Sequence, residues 1–213
     1  MKAAAEAFGY DPKLLVIILN QMVNLREGEA GAAKMSKRAG RFVTLDDLID
    51  QVGSDAVRYF YLLRSADTTI EFDTELAMTQ GNENPLFYAQ YAHARLVNVE
   101  ATAEERHRDL TTEADTSLLE QPWELDVARQ LAYWPEVVED STRLLEPHRI
   151  AYYIHDLATA VHRFYHAGNE ASEHRVVVDD ARLTRARLEL CRAARHTLKG
   201  ALDLIGVSAP ERM

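Results

Sequence analysis

Lys34-Met35-Ser36-Lys37 is the stretch of this chain best equipped for chemistry. Two ammonium groups bracket a hydroxyl, and Arg38 and Gly40 follow directly. Such a set can close over a triphosphate and oppose the charge that develops on the phosphates as the α-phosphorus is attacked. Glu27 to Gly40 is polar and glycine-bearing, so a mobile loop is expected there. A flexible carrier would let the lysines engage only around the transition state. A four-residue match also fits a solvated basic turn.

Three other groups of residues invite a chemical reading. Tyr91 and Arg95 stand one helical turn apart, a spacing that lets a ring stack on a base while the guanidinium holds a phosphate. Arg185, Arg192, Arg195 and Lys199 recur at helical spacing with Glu189 among them, which fits either a phosphate track or a solvated face. His162 and His166 are four apart, with His155 two turns before His162. No Glu or Cys stands at ligand spacing on that face, and zinc needs three or four ligands, so no metal is expected and the histidines read as lying beside RNA or solvent. Phe87, Tyr88, Phe164 and Cys191 read as core.

The elements that must carry these residues are mostly helices. Residues 2–8 form an alanine-rich helical stretch, and Leu14 to Leu19 is a continuous β-branched run, the pattern of a strand buried on both faces. Thr44 and Ser54 are expected to cap two short helices, and from Phe72 onward the pattern is helical throughout. Asn84-Pro85 opens a long helix whose apolar stripe is Ala89, Ala92, Leu96 and Val99. Residues 105–121 read as a polar linker with a short helix. Trp123 to Tyr133 and Pro135 to Leu145 read as two helices, the second with its own proline start. His148 to Ala167 carries Ile150, Ile154, Leu157, Val161 and Phe164 at steps of three and four. The last helix, near Asp180 to Leu204, is expected to bury Leu183, Ala186, Leu190, Ala194, Leu198, Ala201 and Ile205. One strong strand cannot stand alone as a sheet, so the N-terminal part is expected to be the end of a larger α/β unit.

Composition permits this arrangement. The chain has 213 residues, 47% hydrophobic and 27% charged, as an ordinary globular protein does. One cysteine excludes an intrachain disulfide and fits a reducing, cytoplasmic setting. No run is long enough for a membrane helix, and Glu6, Asp11 and Lys13 break any resemblance to a signal start. The formal charge of -10 is uneven: residues 73–146 carry five basic and sixteen acidic residues, residues 147–213 ten and eight. The C-terminal third also holds six of the eight histidines, so net charge does not exclude a nucleic-acid partner.

Longer strings narrow the reading. KMSKRAGRFVTL from Lys34, then DDLIDQVGSDAVRYFYLLRS, EFDTELA and NPLFYAQYAHARL, closely resemble the arginyl-tRNA synthetase form of the class I aminoacyl-tRNA synthetases. The likeness continues in LEPHRIAYYIHDLATAVHRFY, ending at Tyr165, and in LTRARLELCRAARHTLKGALDLIGVSAPERM, which is similar to that family's C-terminal DALR anticodon-binding domain. The resemblance implies that Lys34, Met35, Ser36 and Lys37 help ATP, with Mg2+ in the full enzyme, to activate arginine, with Lys37 foremost. It implies that Tyr91 and His93 lie on a helix facing the tRNA, that Tyr165 packs against anticodon-loop bases, and that Met213 belongs to a tail lining the anticodon pocket. Arg95, Arg192 and Lys199 join them as candidate RNA contacts from their own chemistry and spacing.

The expected fold is therefore mainly α: an incomplete Rossmann-type α/β remnant over residues 1–72, then an anticodon-binding helical bundle over 73–213. The family's histidine-rich ATP motif does not occur in these residues, so the chain alone is expected not to ligate arginine to its tRNA. The expected partners are arginine tRNA, ATP and arginine, with no membrane and a monomeric state. A stand-alone tRNA-binding module without catalysis, or a helical protein-interaction domain, are the alternatives.

Overall fold

In the computed structural model, residues 1–26, 43–106 and 113–213 are described. The lysine loop therefore lies outside the described residues. Three elements come first: α1 (Lys2–Ala7), a single 3-10 turn at Pro12–Leu14, and β1 (Val23–Arg26). Then follow α2 (Leu45–Val52), α3 (Ser54–Tyr61), β2 (Ile70–Asp73) and α4 (Thr74–Met78). Four long helices complete the chain: α5 (Pro85–Arg106), α6 (Pro122–Leu144), α7 (His148–Glu170) and α8 (Ala181–Leu204).

The strand expected at Leu14–Leu19 does not form. Leu14 is 82% exposed and Leu19 77%, with Val16, Ile17 and Ile18 also exposed. A strand needs hydrogen-bonded neighbours, and among the described residues this run has none. The sheet lies just beyond it, where β1 pairs in parallel with β2, Val23 opposite Ile70 and Leu25 opposite Phe72. Both are four-residue strands, too short to show a period. The expected boundary at 72/73 falls inside β2, and a single cluster of buried residues runs across it from Leu25 to Val207.

Local chemistry explains most element ends. Thr44 and Asp47 form a reciprocal capping box on α2, and Thr44 holds the Asp47 carboxyl below the usual carboxylate range. Ser54 is not a cap as expected; it is the first residue of α3. The joint is made by Gly53, whose φ of +86 joins α2 to α3 without the strain a side chain would bring. Asn84 caps α5 as expected: its Oδ1 accepts from the amides of Leu86 and Phe87, and its Nδ2 donates to the carbonyls of Ala77 and Thr79.

Two other expectations are corrected. Residues 122–144 are one helix, with Pro135 inside it rather than starting a new one. Pro135 is exposed, so its ring stands off the packed face and the helix runs on despite the lost hydrogen bond. On α8, Leu183 is only half-buried, while Thr184, Arg187 and Leu188 are buried.

Two polar arrangements tie the layers together. Glu124 and Arg187, almost fully enclosed, meet at 2.6 Å, and Arg187 also donates to the carbonyls of Glu173 and Arg175 at 2.7 Å each. At the C-terminal end, Val207 is buried and Ser208 bonds the Asp55 carboxylate of α3 through its amide and hydroxyl. Gln90 of α5 donates to Asp55 and to Ser208, and His93 bonds the Pro210 carbonyl through Nδ1 at 2.9 Å. The tail thus straps α3 to α5. No helix among the described residues is long and apolar enough to cross a membrane.

Candidate nucleic-acid interface

A cleft of about 370 Å³ opens between α5, α7 and the segment after α7. Tyr91, Arg95, Asn98 and Thr102 line it from α5, Phe164, Tyr165 and Asn169 from α7, and Arg175 from the segment beyond. That segment can lie close because Gly168 has no side chain: a Cβ there would stand 3.0 Å from the Arg175 Cα. Arg175 Nε donates to the Gly168 carbonyl at 3.2 Å, and His174 packs edge-on against Trp123 of α6. Arg187 fixes the same segment from behind through its two carbonyl bonds.

Arg95 is the hub of the cleft. Its guanidinium carbon lies 4.5 Å from the Tyr91 ring centre and 4.1 Å from that of Tyr165. One of its nitrogens donates to the Tyr91 hydroxyl at 3.0 Å and another meets His162 Nδ1 at 3.1 Å. The opposite ring nitrogen, Nε2, bonds the Tyr88 carbonyl at 3.0 Å, and the ring packs on Tyr88 and Tyr91. Burial first, then the charges of Arg95 and His155, hold the His162 pKa below its ordinary value, against the pull of the Tyr88 carbonyl. Each cation–π contact is worth about 1 kcal/mol when partly desolvated. Rigid rings, a charged donor and amide and hydroxyl groups around an open cleft are what an unstacked base and its phosphate need.

The family model of the DALR anticodon binding domain matches residues 89–213, which contain the whole cleft. The chain belongs to that family. This DALR chain is 43% identical over its full length to an arginine–tRNA ligase of Moorella thermoacetica and 46% identical to one of Geobacillus kaustophilus. It spans 37% of the length of each of these curated relatives. Among solved structures it is similar to an arginyl-tRNA synthetase of Campylobacter jejuni, with a TM-score of 0.81, 31% identity, and coverage of all of this chain and 44% of that one. The Thermus thermophilus arginyl-tRNA synthetase gives 0.72 and 25%, covering all of this chain and 38% of that one.

Within the DALR chain, the expected site residues divide. Tyr91, Arg95 and Tyr165 come together in the cleft. His93 does not face outward as expected: it is 1% exposed and holds the tail at Pro210. Its neighbours at i−4 and i+3, Ala89 and Leu96, are buried too, so this side of α5 is the core side. Met213 is 52% exposed, beyond that tail, and is not among the cleft-lining residues.

The basic stripe of α8 is more heavily paired than its sequence suggests. Arg195 bonds Glu100 of α5 at 2.6 Å, Arg192 approaches Glu100 and Glu189, and Lys199 bonds Asp203 at 2.8 Å. Glu189 is thus not the only acid beside it. Among the described residues, no group of three or more His, Cys, Asp or Glu is arranged to hold a metal. Cys191 is fully buried, and burial pushes its thiol pKa far up.

The role of His162 inside the cleft is not legible in the sequence, where the histidines of that helix read as lying beside RNA or solvent, and neither is the cleft wall formed by Asn98, Thr102, Asn169 and Arg175. The pairing of Arg95 with His162 joins residues 67 apart in sequence, and no local period carries it.

Proposed function

We propose that this chain is the anticodon-binding part, with the ATP-contacting lysine loop, of an arginine–tRNA ligase. In this reading residues 73–213 form the RNA-binding bundle and residues 1–72 the edge of the catalytic unit. The observation that carries it is the Tyr91–Arg95–Tyr165 cluster in an open cleft inside a DALR domain. Unpaired anticodon bases stack on the tyrosines while Arg95 and Arg175 meet the backbone. Lys34, Ser36 and Lys37, with Met35 between them, offer two cations and a hydroxyl that suit the triphosphate of ATP, Mg2+ supplying further neutralisation in the complete enzyme. Arg192, Lys199 and Met213 extend the RNA surface, and the protein works as a monomer in the cytoplasm.

Gel-shift titration with an arginine tRNA transcript tests this. Binding is expected at low salt and is lost steeply as salt rises. Tyr165→Ala weakens it about tenfold, the cost of one lost stacking contact. Lys199→Glu weakens it less, because Asp203 already holds that ammonium. Equal binding of a non-cognate tRNA, or of Tyr165→Ala, would overturn the assignment. Arginine-dependent pyrophosphate exchange by these 213 residues alone is expected to be absent, because the histidine-rich ATP motif is not among them.

A further inference from the structure

The hydrogen bonds of His162 admit one protonation state. Arg95 can only donate, so Nδ1, 3.1 Å from its guanidinium, must accept. The Tyr88 carbonyl can only accept, so Nε2, 3.0 Å away, must carry the proton. Both bonds exist together only for the neutral ring protonated at Nε2. The charged groups that bear on the ring are Arg95 from α5 and His155 from α7, both cationic or potentially so; the other neighbours are the rings of Tyr88 and Tyr91. Among the described residues no carboxylate is bonded to it, whereas His166, one turn on, faces Glu170.

We propose that His162 is the positioning residue of the cleft: in its neutral Nε2–H form it holds Arg95 against Tyr91 and Tyr165, and a second proton, taken from solvent at Nδ1, expels the guanidinium and weakens RNA binding. The new N–H would point at an Arg95 donor and set two cations side by side. Arg95 then leaves the rings, because one of the two bonds that fix it there is lost and the new positive charge beside it repels the guanidinium. Anticodon recognition therefore weakens on acidification through a residue that need not touch RNA. The RNA half of this inference rests on the function proposed above; the positioning half does not.

Two measurements on the 213-residue chain decide it. Long-range 1H–15N correlation spectra at a pH of about 7.5 should show His162 as the Nε2–H tautomer. On acidification the Arg95 Nε–H resonance should change with the midpoint of the His162 ring. An Nδ1–H tautomer, or an Arg95 signal that ignores His162, overturns the positioning role without any RNA present.

The second is anisotropy titration of labelled arginine tRNA transcript with wild type, His162→Phe and His162→Gln. The phenylalanine keeps the ring packing but loses both bonds and should bind about tenfold more weakly at pH ~7.5. The deficit should close as pH falls through the His162 midpoint found in the first measurement, below which wild type has lost the same contact. Glutamine, able to donate and accept, should recover part of the affinity without the pH dependence, and it serves if near-UV circular dichroism shows the phenylalanine variant misfolded. Equal affinity at the higher pH, or a deficit constant across pH, overturns the proposal. No wild-type binding at low salt would instead overturn the underlying function and the RNA half with it.

Discussion

The Arg95 guanidinium is held by two tyrosine rings, a hydroxyl and an imidazole, and that crowd has a thermodynamic consequence for His162. Its folded pKa lies below the ordinary value of 6.5, so on acidification the unfolded chain takes up the proton first. The stability this site contributes is therefore complete above about pH 6.5 and is lost as pH falls through the lower, folded value. Melting temperature should drop between pH ~7.5 and ~5.5, and His162→Phe should flatten part of that slope. A wild-type slope matched by the variant would assign the effect to other histidines. At this scale the sequence was a partial guide. Tyr91 and Arg95 are legible because they sit one turn apart on one helix. His162 is not, because its partners Arg95 and Tyr88 come from another helix, and no period along its own helix marks them.

Among the elements, the segment 172–177 owes its place to α8 and α6. Arg187 neutralises Glu124 and binds two carbonyls of that segment in an enclosed site. Arg187→Ala would leave a buried carboxylate unpaired and should destabilise the fold by about 3–5 kcal/mol, as removal of one partner of a buried pair does. Denaturant unfolding followed by circular dichroism measures it, and a loss below about 1 kcal/mol would mean that water replaces the arginine. Pro135 offers the opposite sign. It is exposed inside α6, so Pro135→Ala restores a helical hydrogen bond without a packing loss and should stabilise by about 1–3 kcal/mol. Sequence reading split α6 here because proline at a helix start is common and helix continuation through it depends on which face it occupies. It succeeded at Asn84, where the cap and the following proline lie together in the chain.

Across the whole molecule, one core serves both the small parallel sheet and the bundle. Parallel sheets are covered on both faces, yet here an apolar run from Leu14 to Leu19 stands exposed beside two short strands. Replacing Val16, Ile17 and Leu19 with lysine should leave the melting temperature nearly unchanged, since exposed positions contribute within about 0.5 kcal/mol. It should also lower aggregation on heating, read by light scattering. A large fall in melting temperature would show that the run is packed after all. The periodicity in this region identified an apolar segment correctly but not its partners, because burial on both faces is a property of neighbours rather than of the run.

The tail that bonds Asp55 through Ser208 joins positions 153 residues apart. Helix pairs such as α6 and α7 close over one short turn. Chain-closure entropy therefore orders their assembly, with the hairpins early and the strap late. What closes last tends to open first, so the amides of Val207 and Ser208 should exchange with solvent by a partial opening that leaves the helices protected. In that open form Gln90 and His93 lose their partners while the Tyr91 side of the same helix keeps its own. One helix thus belongs to two cooperative units, and the seam between them runs along its length.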